Sequence, residues 1–244
     1  MIPAQTLNGS IPAAAPGSRL VALAEPQSAA AEQYRVLYHR LERAGVPRTA
    51  RVVAITSAGR GEGRTTTAAN LALTAAGEGR SVLLVEADLR HPSLGALFGL
   101  APRAGLAEVL EGTAELSQAV ARVGPLSLLC AGELHEAAAA QRSARAAAVV
   151  DSLRAGYDQV YLDAPPALAF ADGDRVVAEA DLAVLVVRAR VTPRQAVGLA
   201  LEALGERAVG LVLNDVDPGA MPSGRWLYAD ETLPVPPRRR ARGS

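Results

Sequence analysis

A doubly wound α/β fold, one mostly parallel sheet with helices on both faces, is predicted by three features of the sequence. Short apolar runs recur along the chain at Val52–Thr56, Val82–Glu86, Leu126–Cys130, Gln159–Asp163, Leu182–Val187 and Val209–Leu213. Five or six largely apolar residues is the length of a strand buried on both faces. Alanine- and leucine-rich segments of helical length lie between these runs, and strands alternating with helices imply parallel crossovers. Half of the 244 residues are apolar, ample for one full core.

Residues 1–28 mix Pro, Ala, Gly and Ser without periodicity, which reads as a flexible arm. Ser28 then precedes AAAEQYRVLYHRLERAG, a helix with Val36, Leu37 and Leu41 as its apolar stripe, stopped by Gly45 and Pro47. The strand Val52–Thr56 leads into a helix over 65–78. Val82–Glu86 is followed by helices near 92–99, 104–111 and 115–121, and Leu126–Cys130 by one over 138–155. Gln159–Asp163 and Leu182–Val187 are followed by helices over 171–179 and 192–205, and Val209–Leu213 is the last strand. From about Asp217 the chain is again rich in Pro and Gly and ends PPRRRARGS. The expected organisation is an arm over 1–28, one domain over 29–216 and a basic tail over 217–244, with no internal repeat.

Composition excludes several function classes. Equal numbers of acidic and basic residues give zero net charge, so the molecule as a whole does not attract nucleic acid. The single cysteine, Cys130, rules out a disulfide framework and a paired-cysteine redox or zinc site, and reads as a small thiol at a strand end. The three histidines, His39, His91 and His135, are scattered and suggest no metal site. No run approaches the ~18 to 20 apolar residues that span a bilayer, and the N-terminus lacks the pattern of a signal peptide. A cytoplasmic protein is expected, with at most peripheral membrane contact through Arg238, Arg239, Arg240 and Arg242.

Between the first strand and its helix lies SAGRGEGRTTT, Ser57 to Thr67. The spacing Ala58-x-x-x-x-Gly63-Arg64-Thr65, after a strand and opening a helix, is that of a phosphate-binding loop. Gly59, Gly61 and Gly63 let the backbone turn its N–H groups toward one point, the helix adds its positive end, and the Thr65 hydroxyl is placed to ligate Mg²⁺. Two acidic motifs accompany the loop. In VLLVEADLR, Glu86 and Asp88 alternate and would project to one side of an extended strand end, where paired carboxylates suit metal ligation and hydroxyl activation. In QVYLDAPP, Asp163 ends a largely apolar strand, the expected place for a carboxylate acting on Mg²⁺, and two prolines fix the exit. Loop and acidic motifs in this order extend the fold prediction to the P-loop NTPase type.

The series EQYR, SAGRGEGRTTTAANLA, LLVEADLRHP, GLAEVLEG, YDQVYLDAPP, ADLAVLVVRARVTPR and VGLVLND resembles the bacterial tyrosine kinases of capsule and exopolysaccharide synthesis, the CpsD/CapB type. The likeness runs from about Glu32 to Asp217. It implies an ATP site on Gly59, Gly61, Glu62, Gly63, Arg64, Thr65 and Thr66, with Mg²⁺ on Thr65, Asp88 and Asp163. It places Arg64, Glu86, Asp88 and Asp163 in catalysis and Asn214 against adenine; a helix- or turn-capping side chain is the alternative reading of Asn214. The resemblance further implies a membrane polysaccharide co-polymerase as activator, assembly of several copies, and a tyrosine acceptor in the tail, here Tyr228.

Four positions depart from the family pattern. Arg64 replaces the loop lysine, and a planar guanidinium meets phosphate with different geometry. Glu86 replaces an aspartate and is longer by one methylene. Tyr38 stands where the helical E-x-x-R-x-x-R pattern has its second arginine, and Tyr228 stands where the family has a tyrosine cluster. These departures leave a nucleotide-sensing partner without catalysis as an alternative. A third reading, a positioning ATPase of the ParA/MinD kind, requires a lysine where this chain has Gly59.

Overall fold

A computed structural model describes residues 5–6, 18–44, 51–169 and 175–216. The compact unit is Met1–Asn214; residues 215–244 group separately, and of these only 215–216 are described. Gly45, Pro47, Tyr228 and the tail arginines lie outside the described residues.

Eight strands form one sheet: β1 (Gln5–Thr6), β2 (Arg51–Ser57), β3 (Val82–Glu86), β4 (Ala121–Val123), β5 (Leu126–Leu129), β6 (Gln159–Asp163), β7 (Leu182–Arg188) and β8 (Ala208–Asn214), in the order β1-β4-β5-β3-β6-β2-β7-β8. Every neighbouring pair is parallel except β4 with β5. The helices are α1 (Val21–Ala24), α2 (Ala29–Glu42), α3 (Arg64–Gly77), α4 (Leu94–Leu97), α5 (Leu106–Glu111), α6 (Leu116–Ala119), α7 (Ala139–Gly156), α8 (Arg175–Ala178) and α9 (Arg194–Leu204).

Alternation along the strands feeds two cores. Val52 and Ala54 of β2 join Leu83, Leu162 and Leu185 beneath α5, α7, α8 and α9, while Val53 and Ile55 join Leu84, Tyr161 and Val184 beneath α1 to α4. The four central strands, β3, β6, β2 and β7, are buried along almost their whole length, as covering both faces requires. From β2 the chain crosses through α3 to β3 on one side, and from β6 it passes to β7 on the other. This reversal of strand order opens a crevice at the carboxyl edge, where ligands of such sheets bind. The ends of β2, β3, β6 and β8 all meet that edge.

Four elements differ from expectation. Gln5–Thr6, inside the expected flexible arm, forms strand β1 parallel to β4. The helix expected over 115–121 stops at Ala119, and Ala121–Val123 instead forms β4, turned through Gly124 (φ 58°) into an antiparallel pair with β5. Residues 18–24, read from composition as part of a flexible arm, pack on the domain: Leu20 is buried and Val21–Ala24 is helical. In α2 the buried positions are Ala31, Tyr38 and Leu41, so the core stripe runs through a tyrosine that a purely aliphatic count passes over. Arg51 at the start of β2 is buried and donates to the Leu41 carbonyl at 2.7 Å and to Glu42 at 3.3 Å, fastening α2 to the sheet. Strand β5 ends one residue before Cys130, whose thiol burial pushes up to about 11, so it is inert near neutral pH.

Candidate functional site

Strand β2 delivers the chain to the loop 58–63, and α3 begins at Arg64. Gly61 (φ 73°) and Gly63 (φ 97°) occupy the left-handed region, which a side chain resists. Gly63 is also the N-cap of α3, and a Cβ there would run into the side-chain amide of Asn214. That amide donates to the Glu62 carbonyl at 2.9 Å, so the end of β8 clamps the loop from the side. The Glu62 carboxylate folds back to accept the Gly59 N–H at 3.0 Å. A cavity of about 690 Å³ opens above the loop, walled by residues 60–66 together with Arg19, His91 and Ser93. Loop residues 60–63 and the first turn of a 14-residue helix with no side-chain cap wall this space, an arrangement suited to an anion.

Arg64 is folded into the loop. Its Nη1 donates to Ser57 Oγ at 3.0 Å and to the Gly59 carbonyl at 3.1 Å, and Nη2 pairs with Asp88 Oδ2 at 3.1 Å. Burial pushes the guanidinium below its usual value, and Asp163 and Asp88 oppose that shift, leaving the group charged.

Thr65 and Asp163, both expected near a cation, meet in the structure. The Thr65 hydroxyl donates to Asp163 Oδ2 at 2.6 Å and lies 2.9 Å from Ser93 Oγ. Asp163 is 2% exposed and its Oδ1 has no partner among the described residues. Desolvation raises this carboxyl to about 7, helped by Glu86 and Asp88 and opposed by Thr65 and Arg64. A buried carboxylate with one empty oxygen beside a threonine hydroxyl is a donor set that fits a hard divalent cation. Among the described residues no three His, Cys, Asp or Glu side chains gather into a protein-only metal site. Such a cation would therefore complete its shell with phosphate oxygens and water.

Glu86 does not join Asp88. Its Oε1 accepts the backbone N–H groups of Ser93 and Leu94, the latter at 2.6 Å, and its Oε2 accepts the Ala131 N–H at 3.1 Å. The expected projection of both carboxylates to one side fails because β3 ends at Glu86. Ala87 and Asp88 then bend away, each donating its N–H to the Asp163 carbonyl. Asp88 alone reaches the loop. Its Oδ1 accepts the His91 N–H at 3.2 Å, while the His91 ring lies against the Arg60 guanidinium.

Arg64, Thr65, Asp88 and Asp163 are thus brought together, with Gly61, Glu62, Gly63 and Thr66 around the cavity and Asn214 against Gly63; Gly59, expected at the nucleotide, does not line the cavity, its N–H held by Glu62 and its carbonyl by Arg64. Glu86 is drawn off into a backbone clasp. Sequence reading missed Arg19, Arg60, His91 and Ser93. His91 and Ser93 flank Pro92 just after the first acidic motif, a position that could have marked them; Arg19 sits in a segment whose composition hides it.

The family model described as "Cellulose biosynthesis protein BcsQ" matches residues 50–222. Tyrosine-protein kinase YwqD of Bacillus subtilis is 37% identical over 208 residues, covering 81% of this chain and 88% of that protein. The putative tyrosine-protein kinase EpsB of Ralstonia solanacearum is 30% identical over 87% of this chain, which spans only 29% of that longer protein. Among solved structures, the kinase domain of the Escherichia coli tyrosine kinase ETK superposes with a TM-score of 0.77 at 27% identity, covering 84% of this chain and 82% of that one. The septum site-determining protein MinD of Pyrococcus horikoshii, complexed with Mg-ADP, follows at 0.57 and 26% identity over 67% of this chain and 69% of that one. With its phosphate loop, its two acidic strand ends and these likenesses, the chain belongs to the bacterial tyrosine-kinase family of P-loop proteins, the CpsD and YwqD type.

Proposed function

We propose that the chain binds ATP with Mg²⁺ and transfers the terminal phosphoryl group to tyrosine, regulating synthesis and export of a capsule or exopolysaccharide. The observation that carries this reading is the Thr65–Asp163 pair, a buried carboxylate with one unpartnered oxygen at the mouth of a phosphate loop. Thr65 and Asp163 would hold the cation with Asp88 opposite, and the bound ion would neutralise phosphate charge. The loop amides and Arg64 bind the phosphates. Asp88 takes the proton of the attacking tyrosine hydroxyl as the new O–P bond forms and the bond to ADP breaks. Asn214, beside the loop, is the residue assigned to adenine.

The Arg-rich end and Tyr228 belong to the tail, where Tyr228 is the proposed acceptor, phosphorylated between copies of the chain. Among the described residues no helix is long and apolar enough to cross a membrane. The reading puts the protein in the cytoplasm, recruited to the membrane by a separate polysaccharide co-polymerase that activates it. Incubation of the full chain with Mg²⁺, γ-labelled ATP and membranes bearing that activator should label tyrosine, chiefly at Tyr228. Intact ADP binding without any label would sink the kinase reading.

A second reading, a nucleotide-sensing partner without catalysis, is favoured by the Arg64–Asp88 ion pair, which engages the proposed base, and by the diversion of Glu86. A phosphotyrosine blot that turns positive only in Arg64→Lys would select it. The positioning-ATPase reading lacks its lysine at Gly59.

A further inference from the structure

Three arginines line the phosphate cavity, and two of them are engaged. Arg64 is spent on Ser57, Gly59 and Asp88, and Arg60 lies against the His91 ring. Among the described residues the Arg19 guanidinium makes no hydrogen bond or ion pair. We propose that Arg19 is a phosphate-binding residue of this site, the cation that meets the terminal phosphate of a bound nucleoside triphosphate. The proposal rests on the nucleotide-binding reading above.

The position of Arg19 is built into the fold. Leu20, the next residue, is 1% exposed and packs in the core beneath α2 and α3. Asn70 of α3, fully buried, spends its side chain on this segment: its Oδ1 accepts the Ala22 N–H at 2.9 Å, and its Nδ2 donates to the Arg19 carbonyl at 2.8 Å. The same Nδ2 donates to the Thr66 carbonyl at 2.9 Å. One buried amide therefore ties the Arg19 backbone to the first turn of α3, the turn that walls the phosphate cavity. A buried polar side chain is costly unless satisfied, and here its satisfaction fixes the distance between residue 19 and the loop. With its backbone held, Arg19 loses little further freedom on meeting a ligand, and its planar fork suits two phosphate oxygens at once. It thus adds an outward-facing charge to that of Arg64, which is drawn inward to Ser57, Gly59 and Asp88.

The test is a fluorescence titration of the full chain with a labelled ADP and a labelled non-hydrolysable ATP analogue, both with Mg²⁺, for wild type, Arg19→Ala and Arg19→Lys. Arg19→Ala should weaken the triphosphate roughly tenfold and the diphosphate less than about threefold, with Arg19→Lys between. All three proteins should melt alike without nucleotide, because the Arg19 side chain is exposed. Unchanged triphosphate affinity in Arg19→Ala, with wild type binding both ligands, overturns the proposal and leaves nucleotide binding standing. Equal loss for both ligands overturns the assignment to the terminal phosphate. Failure of wild type to bind either ligand sinks the nucleotide reading, and the proposal with it.

Discussion

Two strand ends flank the phosphate loop, and they treat their carboxylates in opposite ways. At the end of β6, Asp163 makes one short bond to Thr65 and keeps its other oxygen empty. At the end of β3, Glu86 is just as buried, yet three backbone N–H groups fill both its oxygens. Full satisfaction makes a buried carboxylate a structural clasp, while partial satisfaction leaves it costly to ionise and available to a ligand. Glu86 stitches the loop carrying Asp88 and Ser93 onto the end of β5, and Asp163 keeps one oxygen for the proposed cation. The extra methylene of Glu86 goes with this change of work: its Oε1 reaches the start of α4 while its Oε2 reaches Ala131.

The largest effect should come from cutting the clasp. Glu86→Ala strands the N–H groups of Ser93, Leu94 and Ala131 in a buried place, a loss on the order of 3–5 kcal/mol in urea denaturation. Asp163→Ala removes a strained carboxylate instead and should change metal-free stability by less than about 1 kcal/mol, or raise it. A Glu86 variant as stable as wild type would erase the distinction between the two strand ends.

A smaller effect should appear with pH. The Asp163 carboxyl is raised from 3.8 to about 7 in the folded chain, so the folded state holds the proton more tightly than the unfolded one. The resulting stability is full below the unfolded pKa and is lost as pH rises through about 7. Metal-free wild type should therefore lose stability between pH 4 and 7, with a slope of at most ~1.4 kcal/mol per pH unit. In melting curves taken across that range, Asp163→Asn should remove this part of the slope. Because a cation requires the ionised form, Mg²⁺ should bind more tightly above pH 7 and release a proton as it binds.

Much of this was legible in the sequence because its determinants are local. β3 and β6 fall on the predicted boundaries, since each is a short apolar run closed by one acid. The glycines of the loop, Thr65 and Asp163 follow from spacing alone. What escaped depends on contacts distant in sequence. β4 is three residues long and forms by pairing across the turn at Gly124. The segment around Leu20 is ordered by Asn70, 48 residues beyond Ala22. Tyr38 is buried because α2 turns that face to the sheet, whatever the family pattern places there. The fate of Glu86 was illegible for a related reason: alternation holds only while the strand continues, and β3 stops at that residue.

The most direct test is calorimetric titration of ADP at pH 8, with and without Mg²⁺, for wild type, Asp163→Asn and Glu86→Gln. The division of labour between the two strand ends requires that Mg²⁺ strengthen ADP binding in wild type and in those Glu86→Gln molecules that remain folded, and that Asp163→Asn bind ADP with no benefit from Mg²⁺. An Asp163→Asn protein that keeps the full Mg²⁺ effect, beside a folded Glu86→Gln protein that loses it, would contradict the account.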